Sequence, residues 1–270
     1  MNSPLPLHKT SSGEGAQVMA VTSGKGGVGK TFLSTNLAAA LAARGERVLV
    51  LDADLGLANI DVVLNLYPKI TLHDVFTGKA VLEQAILPAP GGFSVILAGS
   101  GMVEYSRLTP EVRDQLVRVI DTLRPHYDRI LLDTGAGISD VVLYTVSLAH
   151  EVLVVATPEP TSMTDAYATM KVLAAQQARE EVRLVVNQVD RQGDGRNVCQ
   201  QLQMVLDRYV QTDSGAPLKL RYVGDVPVDA NVREAVHKRQ LLLEQFPGST
   251  AARSISGLAQ RLQELDTAKA

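Results

Sequence analysis

The stretch GKGGVGKT, residues Gly24–Thr31, places four glycines in eight positions between an apolar run (QVMAVTS, 17–23) and a helical pattern (KTFLSTNLAAALAARG). Glycine is the residue that lets consecutive backbone N–H groups turn toward one point, because it has no Cβ to exclude left-handed conformations. The spacing fits G-x-x-x-x-G-K-[ST], with Gly24, Gly29, Lys30 and Thr31 at the required places. A strand before the loop and a helix after it are the contexts that this pattern demands. The helix N-terminus adds partial positive charge to the converging N–H groups. The backbone of Gly24, Lys25, Gly26, Gly27, Val28 and Gly29, continuing through Lys30 and Thr31 to Phe32, is therefore the candidate cradle for a nucleoside triphosphate. Lys30 would reach the β- and γ-phosphates, and Thr31 would ligate Mg²⁺.

The same letters also read as G-x-G-x-x-G, and Asp52 closes the next apolar run, as in a dinucleotide-binding fingerprint. That reading gives Lys30 and Thr31 no task. Neither reading explains Lys25, a second lysine in a loop where one suffices.

The rest of the chain repeats the strand-then-helix alternation. Further strand candidates lie at 47–54, 93–99, 129–134, 151–158, 183–189 and 218–227, most of them continuous runs of Val, Ile and Leu. Such runs mark strands buried on both faces, as in a parallel sheet covered by helices. Helical patterns such as TPEVRDQLVRVIDTLR (109–124) and TDAYATMKVLAAQQA (164–178) separate them. The expectation is an α/β fold, a single doubly wound, mostly parallel sheet flanked by helices, over 17–270. Residues 1–16, rich in Pro, Ser and Gly, read as a flexible tail without the apolar core of a signal peptide.

Carboxylates should face a phosphate loop from the C-terminal ends of neighbouring strands. RILLDTGAG puts Asp133 at such an end, where a metal-holding aspartate is expected; a helix cap or turn is its plainer role. LDADLGLANID supplies Asp52 and Asp54. Asp54 is the candidate for orienting an attacking water or binding the metal, and Asp52 for fixing the loop.

Composition narrows the remaining classes. The net charge of −3 argues against a large nucleic-acid surface, so there is no strong signal for direct DNA binding. Cys199 is the only cysteine, which excludes an intrachain disulfide framework and a paired-cysteine cluster site within one chain, and fits a cytoplasmic setting. The five histidines show no ligand spacing. No apolar run approaches the roughly 20 residues of a membrane span. A C-terminal helix is expected over about 250–268; its SISGLAQRLQEL places Ile255, Leu258, Leu262 and Leu265 on one face. Packing on its own core is the favoured reading of that stripe, and contact with a membrane surface the other.

Lys25 inside KGGVGKT resembles the deviant Walker A motif of the MinD/ParA family of ATPases. The resemblance runs from about 17 to 245 and includes DADLGLANID, LLDTGAGI, PEPTSMTDAY and VPVDANVREAV. It implies ATP and Mg²⁺ as ligands and an ATP-dependent homodimer. In that dimer the first lysine, here Lys25, reaches the phosphates of the partner subunit, as an arginine finger does. It further implies that Asp54 is needed for hydrolysis and that Asn59 and Asp61 share its switch segment. Asp133 would lie near Mg²⁺, Glu159 would meet the signature lysine in the dimer, and Asn187 would read the adenine edge. Pro227, Val228 and Asp229, with Arg233 nearby, would line the base.

DADLGLANIDVVLNLYPKITLHDVFTGKAVLEQAIL and DANVREAVHKRQLLLEQFPGSTAA look most like the flagellar-number regulators, the FlhG/FleN branch. That likeness implies a slow ATPase acting as a switch that restrains flagellar number or flagellar gene expression. Its partners would be an enhancer-binding flagellar transcription activator, the polar flagellar GTPase FlhF or flagellar switch-complex proteins, with cytoplasmic, polar or transiently membrane-associated placement. Residues 1–16 lack the helical motif by which some members stimulate the GTPase. A division-site or DNA-positioning ATPase, and an ATP-using biosynthetic enzyme of the same superfamily, remain the alternatives.

Overall fold

The structure, a computed structural model, describes residues 15–55, 59–99 and 108–268. The continuous apolar runs become strands: β1 (Gln17–Ser23), β2 (Val48–Ala53), β3 (Leu87–Pro88), β4 (Ser94–Ile96), β5 (Arg129–Ala136), β6 (Glu151–Ala156), β7 (Glu181–Val189) and β8 (Lys219–Pro227). They form one sheet in the order β3-β4-β2-β5-β1-β6-β7-β8, parallel except for the β3–β4 pair. Successive residues of β1 divide between two cores, Val18 and Ala20 on one face, Met19 and Val21 on the other. This is why the run had to be apolar throughout.

One face is covered by α5 (Pro110–Leu123), α6 (Asp140–Ser147), α7 (Pro160–Gln177) and α8 (Asp194–Tyr209). The other carries α1 (Lys30–Ala42), α9 (Ala230–Lys238), α10 (Leu242–Gln245) and α11 (Thr250–Thr267). Short helices α2 (Ile60–Leu64), α3 (Leu72–Phe76) and α4 (Leu82–Ala85) connect β2 to β3. Local sequence starts the longer helices. Thr109, Ser139 and Ser249 each accept a hydrogen bond from a first-turn N–H, of Val112, Val142 and Ala252.

Two sequence expectations need correction. The strand expected over 93–99 pairs only at Ser94–Ile96. Beyond it, the Leu97 and Ala98 carbonyls accept from Leu72 and His73 N–H groups, so the α3 N-terminus takes the place of a strand partner. The two-residue antiparallel edge β3 was not expected, being short and ending in Pro88. Of the tail expected over 1–16, residues 1–14 lie outside the described residues. Ala16 is buried and its N–H donates to the Arg124 carbonyl, so this end of the expected tail packs against the domain.

The apolar stripe of α11 lies inward: Ile255, Leu258 and Leu262 are buried, and Leu265 packs at their margin, against α1 and β8. Among the described residues no helix is long and apolar enough to cross a membrane. The last turn of α11 is held by charge. Asp266 bridges Arg129 of β5 (2.7 Å) and Arg183 of β7 (2.6 Å). Glu46 pairs with Arg129 at 2.8 Å, and Glu151 pairs with Arg183. Both guanidiniums are almost wholly buried. Removing one partner of such a network leaves uncompensated buried charge. Asp266→Ala should therefore lower unfolding free energy by about 3–5 kcal/mol, read by urea denaturation; a loss below about 1 kcal/mol would show that the clamp is not structural.

Candidate active site

Strand order places the loop. From β1 the chain crosses to β2 on one side of β5, while β5 leads through α6 to β6 on the other side of β1. The crevice at the C-terminal ends of β1, β2 and β5 is where ligands bind in such sheets. It opens as a cleft of about 920 Å³ lined by loop residues Gly26, Gly27, Gly29, Lys30, Thr31 and Phe32, by Asp54 and Asn59 after β2, and by Thr134, Gly135 and Ala136 of β5.

Two glycines of the loop are required by close approach. A Cβ on Gly24 would stand 2.1 Å from the Asp165 carbonyl oxygen on α7. Gly29, at φ +93°, caps α1 and would meet the Asn187 amide nitrogen at 2.4 Å. Lys30 is buried, and its Nζ donates to Ser23 Oγ at 3.0 Å. Burial pushes its ammonium below the ordinary lysine range, against the opposing pull of Asp133 and Asp54. Ser23 Oγ in turn donates to the Lys25 carbonyl at 2.7 Å.

Asp133 is buried and accepts from Ser34 Oγ at 2.8 Å and from the Thr31 hydroxyl. Burial pushes its carboxyl up to about 6, despite those two bonds and the Lys30 charge. Asp52 is driven well above the usual carboxylate range by burial and then by Asp133 beside it. Its Oδ1 accepts from Asp54 N at 3.3 Å, in keeping with a loop-fixing role, while buried Oδ2 has no hydrogen-bond partner among the described residues. The Asp54 carboxyl packs over the Gly135 backbone, so the segment after β2 meets the end of β5 at the cleft.

These residues fit a Mg²⁺–nucleotide. Two carboxylates of raised pKa and an orphaned buried oxygen surround one hydroxyl and one buried lysine, an arrangement that a bound cation would relieve. Thr31 and Asp133 would hold the ion, with Asp54 beside them.

Lys25 does not line its own cleft. Its Nζ reaches Glu159 Oε2 at 2.7 Å and Thr161 Oγ1 at 3.0 Å, at the N-terminus of α7 and exposed at the rim. Sequence paired Lys25 with Glu159 across a dimer; the structure pairs them within one chain. The residues expected around a base stand apart from the cleft. Asn187 donates from Nδ2 to the Val28 carbonyl at 2.8 Å, so its amide braces the loop and Oδ1 remains for a base. Pro227 ends β8, Val228 is exposed, and Asp229 caps α9 through Asn231 N. Asp229 also accepts from Thr250 Oγ1 and Ala251 N; burial raises its carboxyl, but these bonds overrule it and hold it at about 2. Arg233 is exposed on α9. Asp61 faces a neighbouring pocket with Tyr67 and Arg239 rather than the cleft. Gly56–Ala58 of the same segment lie outside the described residues.

Sequence reasoning missed Ser23, Ser34 and Thr161. Ser34 was accessible, since it sits one helical turn after Thr31. The other two depend on tertiary placement.

The raised carboxyls predict a pH slope. An unfolded aspartate titrates near 3.9, whereas folded Asp133 titrates at about 6, so the folded state holds a proton that the unfolded state has released. Stability of the nucleotide-free protein should fall as pH rises through that window and level off above it. Asp52 shifts in the same direction. Asp133→Asn should flatten the slope by roughly 2–3 kcal/mol across the window, measured by chemical denaturation at stepped pH.

Residues 15–263 match the family described as ParA: NUBPL iron-transfer P-loop NTPase. The antiactivator FleN of Pseudomonas aeruginosa is 43% identical over 246 residues, covering 91% of this chain and 86% of that protein. The flagellum site-determining protein YlxH of Helicobacter pylori is 33% identical, covering 89% and 80%. Among solved structures, the septum site-determining protein MinD of Pyrococcus horikoshii, complexed with Mg-ADP, superposes with a TM-score of 0.75. It is 26% identical and covers 94% of this chain and 99% of that one.

Proposed function

The chain belongs to the ParA/MinD family of P-loop NTPases, and from that premise we propose that it is an ATP-dependent dimerising switch that restrains flagellar number. Family membership carries ATP binding and hydrolysis in general. The observation that carries the switch is Lys25, which leaves its own cleft and rests at the rim on Glu159 and Thr161. An exposed ion pair of this kind contributes about 0–1 kcal/mol. It can be exchanged for a stronger contact with the phosphates of a second subunit.

In this reading the Gly24–Phe32 backbone binds and orients the triphosphate, and Lys30 meets its terminal charges. Thr31 and Asp133 hold Mg²⁺, whose charge offsets that of the β- and γ-oxygens. Asp54, in contact with Gly135, joins the segment after β2 to the end of β5, so a γ-phosphate bears on both together. That ordered face is self-complementary, and two subunits close on a two-fold axis. Lys25 of each then completes the other's site. Asp54 orients water, and slow hydrolysis returns the monomer. Asn187, Pro227–Asp229 and Arg233 take the adenine, with Asn187 Oδ1 facing the base while Nδ2 keeps the loop braced.

The flagellar assignment rests on similarity to FleN and YlxH. On that basis the dimer acts on an enhancer-binding flagellar activator, the polar GTPase FlhF or switch-complex proteins, in the cytoplasm or at the pole. The backbone likeness to MinD supports a second reading, a division-site or DNA-positioning ATPase using the same chemistry. Metal-cluster transfer by paired cysteines has no support within this chain, where Cys199 is the only cysteine.

Three variants test the switch by light scattering with ATP. Lys30→Ala should lose productive ATP binding. Asp54→Ala should keep ATP, hydrolyse at least about tenfold slower and remain dimeric; elution as a monomer would refute the switch. Lys25→Ala should bind ATP yet fail to dimerise productively. Deleting the gene and counting flagella by electron microscopy tests the role. Extra flagella, restored to normal by the wild-type gene but not by Lys30→Ala, support it. Normal flagella with minicells or lost plasmids support the positioning reading.

A further inference from the structure

A second cleft, of about 810 Å³, lies at the open edge of the sheet, outside β8 and between α8 and α11. It collects Arg191, Arg196, Arg253 and Arg261 around Tyr222. Elsewhere the arginines Arg47, Arg129, Arg183 and Arg221 are matched to carboxylates. The four in this cleft form no ion pair among the described residues. Three of them are held in place by neutral groups instead. Arg253 Nη1 donates to the Gly248 carbonyl at 2.7 Å, Arg261 Nη1 donates to the Val223 carbonyl at 2.6 Å, and the Arg196 guanidinium lies 5.3 Å from the Tyr222 ring centroid. These three are thus oriented, and all four side chains belong to exposed residues.

The cleft floor is shaped rather than incidental. A Cβ on Gly195 would stand 2.5 Å from Asp225 Oδ2 and 2.6 Å from the Tyr222 hydroxyl. Gly224 sits at a bulge in β8 where a Cβ would meet Leu258 at 2.6 Å. The bulge, with Arg261 on the Val223 carbonyl, blocks addition of another strand to this edge. An occupant therefore lies on the side chains.

We propose that this cleft is a docking site for an acidic, extended segment of a partner protein, bound through carboxylate–guanidinium pairs. Charge complementarity names the occupant: four unpaired guanidiniums in a chain of net charge −3 call for carboxylates. Asp190 and Asp225 also line the cleft, and a phosphate backbone, charged at every step, would be repelled by both. A peptide can space its acids to avoid them. Thr250 lines the same cleft and bonds to Asp229, so docking would bear on the loop after β8.

The test uses the full chain and a fluorescein-labelled peptide of repeated Glu-Gly-Ser, which spaces its acids, followed by anisotropy at low salt. Binding should saturate and weaken with salt. Arg191→Glu with Arg253→Glu should weaken it at least about tenfold, and Arg191→Gln with Arg253→Gln by less, with unchanged thermal unfolding and ATPase rate. Arg118→Glu, on α5, should change nothing. Absence of saturable binding, or equal affinity in the double reversal, would overturn the proposal. So would a single-stranded thymidine 20-mer that binds more tightly than the peptide and loses affinity in the same double variant, since that marks a nucleic-acid groove. None of these outcomes depends on the flagellar reading.

Discussion

Gly24 has no room for a Cβ, and that single contact sets the rest of the site in place. The Asp165 carbonyl on α7 fills the space where the Cβ would be, so the phosphate loop is seated against α7 as well as on β1 and α1. Asn187 fixes the other side of the loop through the Val28 carbonyl, where Gly29 turns left-handed to open α1. Between these two contacts the backbone of Lys25–Val28 is held open at the head of the sheet. A phosphate cradle needs N–H groups that point outward without partners of their own. The price is bracing by neighbours, and β7 and α7 supply it.

The two ends of the sheet carry opposite kinds of buried charge. At the N-terminal end, Arg129 and Arg183 are matched by Glu46, Glu151 and Asp266, which fixes α11. At the C-terminal end, Asp52, Asp133 and Lys30 share a dry pocket in which burial disfavours the charge on each. The matched set holds the fold together. A ligand that brings two positive charges and several negative oxygens would relieve the mismatched set.

Legibility in the sequence followed the range of the interactions. The strands of a buried parallel sheet announce themselves by composition, and the glycine-lysine-threonine spacing of the loop is local, so both were readable. Asp52, Asp54 and Asp133 were readable because strand ends are. Glu159 was named for Lys25 only through the family resemblance; its Thr161 contact and the partners of Asn187 and Asp266 were not readable, since each is set by residues over eighty positions away. Strand β4 was overestimated for the same reason, its continuation being capped by α3 rather than by a strand. The apolar stripe of α11 was visible, but what covers it was decided only by the face of the sheet on which α11 packs.

Lys25 shows how a conformational change can be stored in a weak contact. Its tie to Glu159 and Thr161 is exposed, so solvent and salt screen it, and it costs little to break. It is nonetheless anchored to the first turn of α7, the same turn that leads into the Asp165 contact with Gly24. Any shift of that turn alters the seat of the loop and the resting place of the lysine together. A strong buried pair at this position would lock the lysine in one state, whereas no pair would leave a long side chain to search at random, at an entropic cost when it is finally ordered. A weak, well-placed pair avoids both penalties. It keeps the ammonium at the rim, where a second phosphate-loaded surface could take it up.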